Sequence, residues 1–335
     1  MIYINPTLTE INKAKDIHLK KINCFLRKKL NQPVCSNTCE ICNSQIEIVL
    51  LDIRLQYFLL QNDNLEKIII GNPKELFDLN IEFWKILKND FNINDWKNYI
   101  ENNVDGIRDV KNQLQKIFKY KDWFCDKKNK YYNAYDLAKN LDRNSCTYCN
   151  RIYTSTIITR KGKKIIRPTL DHWYPKTDFP LLSLSFFNLI PSCSNCNSSI
   201  KGATNFNLSD HIHPYVDTTQ NDDFKFNYRY NKKLKEYRIY IQDTNYLNSK
   251  TRTTLQSMFI DEMYNSHQSE LEDLIKIKIN YSDSYIENIE KLFGAKLSRE
   301  EVYRILFGVE YDSKKFHKLP LSKFKNDILK ELGII

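Results

Sequence analysis

The sequence predicts an α+β chain with mainly helical flanks around a small zinc-stabilised module. Three observations carry that expectation. Apolar residues recur at helical spacing over residues 1–140 and 248–335, and stretches of extended type fall between them. Two Cys-x-x-Cys pairs, Cys146/Cys149 and Cys193/Cys196, stand with 43 residues between them. A chain of 335 residues with 41% hydrophobic and 13% aromatic residues can bury a substantial core. Seven glycines argue against a glycine-rich nucleotide-binding or propeller architecture. The expected divisions are a helical region at 1–140, the module at 141–205, an extension with a hairpin at 206–247, and a helical region at 248–335.

In chain order, Ile11 to Leu30 reads as a helix of mixed charged and apolar character. Gln45 to Leu60 is an apolar run long enough for a buried helix. Asn72-Pro73-Lys74-Glu75 has the form of a helix start, with Leu76, Leu79, Phe83 and Ile86 on one face. Ile107, Val110, Leu114 and Ile117 mark another helix, and Tyr132 to Leu141 a short one leading to Cys146. Ile152 to Thr159 and Ile165 to Leu170 read as strands around the turn Lys161-Gly162-Lys163-Lys164. Phe224 to Tyr230 and Glu236 to Ile241 suggest a second hairpin. Helical spacing returns from Asn248 to Phe293, Ser298 opens a capping box, and a basic amphipathic helix closes the chain.

The formal net charge is +10, and the window 141–205 holds nine Lys/Arg against three acids. Arg160, Lys161, Lys163, Lys164, Arg167, Lys176 and Lys201 are therefore the candidate phosphate contacts. Near Met1 there is no apolar stretch of signal-peptide type, and no run suits a membrane span, so a cytoplasmic protein is expected. In a reducing compartment, nine cysteines are better read as thiols and metal ligands than as disulfides.

Four thiolates in two knuckles suit tetrahedral zinc and leave no position open for water, which makes the site structural. Cys24, Cys35, Cys39 and Cys42 allow a second zinc site, but packing in the core is the favoured reading. Asp171 and His172 pair a group for a hard cation with a group that can accept a proton, the two roles phosphodiester hydrolysis needs. Neighbours within a strand face opposite ways, so both serve one site only where a strand ends or bends. Asn188 and Asn197 add amide oxygens, and a helix starting near Cys193 would align Cys193, Asn197 and Lys201. Trp173 and Tyr174 offer either stacking faces or core. His211 and His213 fit the loop leaving the module.

The order Cys-x-x-Cys, Asp171-His172, Asn188, Cys-x-x-Cys-Asn197, Lys201 resembles the HNH endonucleases of the ββα-metal fold. The resemblance covers residues 146–202, with Asn197 at the third signature position, a variant also found in that family. It implies His172 as general base, Mg²⁺ (or Mn²⁺) on Asp171 and Asn197, Asn188 orienting the histidine or bracing its loop, and Zn²⁺ on Cys146, Cys149, Cys193 and Cys196. It implies DNA as substrate. A non-catalytic zinc-stabilised nucleic-acid-binding module and a ribonuclease acting on RNA such as tRNA are the alternatives. Residues 135–151, 211–215 and 319–332 are more loosely similar to bacterial HNH proteins of anti-phage defence, Septu-type and retron-associated. That similarity implies an ATPase or other regulatory defence protein as partner.

Overall fold

The computed structural model describes residues 1–33, 39–218, 223–243, 249–280, 288, 291 and 297–335. Its first part is helical: α1 (Thr9–Lys29), α2 (Glu40–Asn43), α3 (Ile53–Leu60), α4 (Asn64–Ile70), α5 (Pro73–Lys85), α6 (Trp96–Glu101), α7 (Ile107–Phe118) and α8 (Ala134–Leu141). The apolar spacing explains why. Ile11, Ala14, His18, Ile22, Phe25 and Leu26 bury one face of α1, against which α4, α7 and α8 pack. Asn72 caps α5 in a capping box with Glu75, and Asn133 caps α8 in another with Asp136. In α7 all four expected positions, Ile107, Val110, Leu114 and Ile117, are buried.

The run from Gln45 to Leu60 is not one helix. Residues 45–52 are extended, and α3 begins only after Asp52, whose Oδ1 accepts from Arg54 N at 2.8 Å. A good N-cap in mid-run and β-branched Ile46, Ile48 and Val49 favour that break. Burial then alternates, with Val49 and Leu51 inside and Ile48 and Leu50 outside.

The strands among the described residues form three antiparallel pairs. β1 (Ile157–Ile158) and β2 (Lys164–Ile166) are shorter than the sequence suggests, and Ile157, Ile165 and Ile166 lie exposed. β3 (Thr169–His172) pairs with β4 (Leu189–Ser192), setting Asp171 opposite Ile190 and His172 opposite Leu189. β5 (Phe224–Asn231) and β6 (Glu236–Asp243) make the expected hairpin.

Helices α9 (Ser249–Ser257), α10 (Ile260–Tyr264), α11 (Gln268–Asn280), α12 (Arg299–Phe307) and α13 (Ser322–Glu331) follow. Ser298 caps α12 as its capping box predicts. Most of the expected helical span beyond Asn280 falls outside the described residues, as does Cys35. No helix of the described residues is long and apolar enough to cross a membrane.

Distant segments converge on the cysteine knuckle. Ile2 N donates to Thr147 O at 2.8 Å, and Ile4 N to Pro214 O at 2.8 Å. Asn150 Nδ2 donates to Ser145 Oγ and Phe316 O, and its Oδ1 accepts from Lys323 N. Trp173 Nε1 reaches Ile212 O at 3.2 Å. Residues 319–332 thus meet residues 135–151 at Asn150, and residues 211–215 lie against Trp173 and Leu189, although the sequence scatters them.

Candidate active site and metal centre

Cys146 and Cys149 lie on the turn before β1, Cys193 just after β4, and Cys196 in a π-helical turn over Asn195–Lys201. Their four Sγ atoms lie within 4.8 Å of one another, and all four residues are buried. Cys193 N donates to Cys146 Sγ at 3.2 Å, and Cys196 N to Cys193 Sγ at 3.5 Å. Burial pushes the Cys146 thiol well up, while hydrogen bonding with Cys146 holds Cys149 and Cys193 low. Four crowded sulfurs with amide support fit a closed tetrahedral site for zinc.

The knuckle also reaches the polar cluster. Tyr148, between two of the cysteines, donates its hydroxyl to Asp171 Oδ2 at 2.5 Å. Lys201 Nζ stands 3.4 Å from the same oxygen and donates to His172 O at 2.8 Å. Asp171 and Lys201 are both about 2% exposed, and burial raises the carboxyl's pKa and lowers the ammonium's. Lys201 is thus not the exposed phosphate contact that its basic charge suggests. It neutralises Asp171 from inside the module. Gly202, at φ +52, ends the turn in a conformation that side chains rarely adopt.

His172 is the last residue of β3, so Asp171 and His172 stand where the strand ends. His172 Nε2 lies 2.9 Å from Ser183 O. A carbonyl only accepts, so Nε2 carries the proton and Nδ1 is left with its lone pair. The ring meets Tyr120 edge-on, centroids 4.4 Å apart, and Tyr120 Oη donates to Leu170 O. Burial, with Lys176 nearby, brings the imidazole pKa down to about 3. His172 therefore stays neutral at ordinary pH.

Asn188 is fully buried and closes the loop between β3 and β4. Its Oδ1 accepts from Tyr174 N at 2.7 Å, and its Nδ2 donates to Tyr174 O and Leu182 O at 3.1 and 3.0 Å. Its own carbonyl accepts from Trp173 N. Leu182 precedes the carbonyl that holds His172, so Asn188 acts on the histidine through the loop. Trp173 is fully buried against His213, centroids 4.7 Å apart, which closes its face to a base.

Asn197 is half-buried in the π-helical turn, its N on Cys193 O and its O accepting from Gly202 N. The turn's wider winding replaces the straight α-helical face expected for Cys193, Asn197 and Lys201. Arg160, Lys161 and Lys163 are exposed at the β1–β2 tip. Lys164 folds back onto Asn129 O at 2.8 Å, and Arg167 onto Pro168 O at 2.6 Å and Cys125 Sγ at 3.4 Å. Lys176 lies 5.6 Å from the Tyr120 ring centre and lines a cavity of about 300 Å³ with Tyr120, Lys121 and Ser183. Tyr148, Tyr120 and Ser183 are functional neighbours that sequence reasoning missed. Only Tyr148, inside the knuckle, carried a positional signal.

No family model matches the chain, and no solved structure matches it. Over 88 residues, 26% of this chain, it is 32% identical to a Septu protein from Bacillus thuringiensis. That stretch spans 31% of the relative's length, and the relative to which this chain is thereby similar is the Septu protein PtuB.

Proposed function

We propose that this chain is a metal-dependent endonuclease that hydrolyses phosphodiester bonds in DNA and serves in anti-phage defence. The observation that carries the reading is the fixed tautomer of His172, with Nε2–H on Ser183 O and a neutral ring at the end of β3. That arrangement leaves Nδ1 to take the proton from an attacking water.

Asp171 and Asn197 would hold the magnesium. One carboxylate and one amide oxygen are donors of the kind that magnesium completes with water and substrate phosphate. The bound cation supplies charge stabilisation for the phosphate and the leaving oxygen. Tyr148 and Lys201 position Asp171 by sharing its Oδ2. Asn188 keeps the loop that carries Ser183 in register. The products are a 5′-phosphate and a 3′-hydroxyl.

Arg160, Lys161 and Lys163 would grip the nucleic-acid backbone, and Lys176 would meet phosphate at the cavity beside Tyr120. The similarity to PtuB supports the defence role, and the partner we propose is an ATPase or another regulatory defence protein. The test is plasmid nicking with magnesium, EDTA and His172→Ala in parallel. Nicking should need magnesium and fall by orders of magnitude in the variant, with zinc content unchanged. Undiminished cutting by His172→Ala overturns the assignment.

A further inference from the structure

We propose that Cys24, Cys39 and Cys42 form a second zinc site, separate from the knuckles of the candidate nuclease module. Their sulfurs lie within 4.8 Å of one another. Cys39 Sγ stands 3.1 Å from Cys42 Sγ, and Cys42 Sγ stands 3.8 Å from Cys24 Sγ. Tetrahedral zinc with Zn–S bonds near 2.3 Å sets its sulfurs about 3.8 Å apart. A disulfide needs about 2.05 Å, so no pair here is bonded.

An independent observation is the local geometry of Cys39 and Cys42. Cys39 sits at the N-cap of α2, where its Sγ accepts from Cys42 N at 3.4 Å. The first centre has the same contact from Cys196 N to Cys193 Sγ at 3.5 Å. Two Cys-x-x-Cys segments in one chain thus fold into the same amide-to-sulfur knuckle. The amide lowers the cost of a thiolate, as a soft cation requires.

Simple core packing explains this less well. Cys42 is half-buried, and the three sulfurs crowd together at the edge of the apolar core rather than spreading through it. Lys28 Nζ donates to the carbonyls of Cys42 and Ser44, and at Cys42 the distance is 2.6 Å. Lys28, one turn beyond Cys24 on α1, therefore holds this turn against the helix.

Zinc at this point clasps the last third of α1 to the turn that starts the extended segment 45–52. Val49 N then reaches Lys29 O at 2.9 Å. The site staples the start of the helical region, and nuclease activity is not its readout.

The experiment is metal analysis of the full-length protein purified without chelator. Wild type is expected to carry two zinc ions per chain, and the variant with Cys39→Ser and Cys42→Ser one fewer. Equal zinc in wild type and variant overturns the proposal, whatever the first centre holds. If that variant fails to fold, Cys24→Ser is read the same way: one zinc fewer than wild type supports the site, and equal zinc overturns it. His172→Ala, which should keep both ions, separates this result from any failure of the nuclease reading.

Discussion

Lys201 and Asp171 show how one side chain changes meaning when its surroundings are known. A lysine in a basic window reads as a phosphate contact, yet here its ammonium is buried 3.4 Å from Asp171 Oδ2. Removing it leaves a buried carboxylate without compensation, which costs about 3–5 kcal/mol. Urea unfolding of Lys201→Met should show a loss of that order, and adding Asp171→Asn should restore most of it. Strictly additive losses in the double-mutant cycle would refute the coupling. His18 is buried between Tyr132 Oη and Leu184 O, and burial lowers its pKa from 6.5 to about 4. Between about pH 4 and 6.5 the unfolded imidazole is protonated and the folded one is not. The unfolded state then binds more protons, so His18 makes stability rise with pH across that window. His18→Gln is expected to flatten the slope of unfolding free energy against pH there, and an unchanged slope would show that His18 titrates alike in both states.

Helices with an apolar stripe were legible as elements, including α1 and α7, whose first turns no side chain caps. The capping boxes at Asn72 and Ser298 give their helix starts as the sequence suggests, and a third at Asn133, which the sequence reading did not single out, starts α8. Asn72→Ala should cost about 1 kcal/mol, seen as a lower urea midpoint with an unchanged slope. The loss bears on the site, because Tyr174 Oη donates to Pro73 O at 3.1 Å, one residue inside that cap. Hydrophobicity alone misled at Gln45 to Leu60, where composition gives no sign of which side chains face a neighbour. The same holds for β1 and β2, whose exposed isoleucines gain little from longer pairing. The π-helical turn at Asn195–Lys201 has no signature in local propensity.

At the scale of the molecule, chain segments from both ends hold the first cysteine centre in place. Residues 2–4 and 316–323 both hydrogen-bond around it. Stripping metal with a strong chelator should remove on the order of 10 kcal/mol from this region. Hydrogen exchange should then speed first at Cys193, Cys196 and Asn197, whose amides bond within the knuckles. Exchange unaffected by the chelator would mean that the knuckles hold without an ion. The sequence by itself pointed to the helical flanks, the β5–β6 hairpin, the four cysteines that cluster as a candidate metal centre, and the candidate roles of Asp171 and His172. Those follow from periodicity, spacing and side-chain chemistry, which are local properties. Only the tertiary structure decided that Lys201 faces inward, that Tyr148 reaches Asp171, and that Ser183 O sets the tautomer of His172. Each of these depends on contacts between residues 11 to 30 positions apart, which no local pattern encodes.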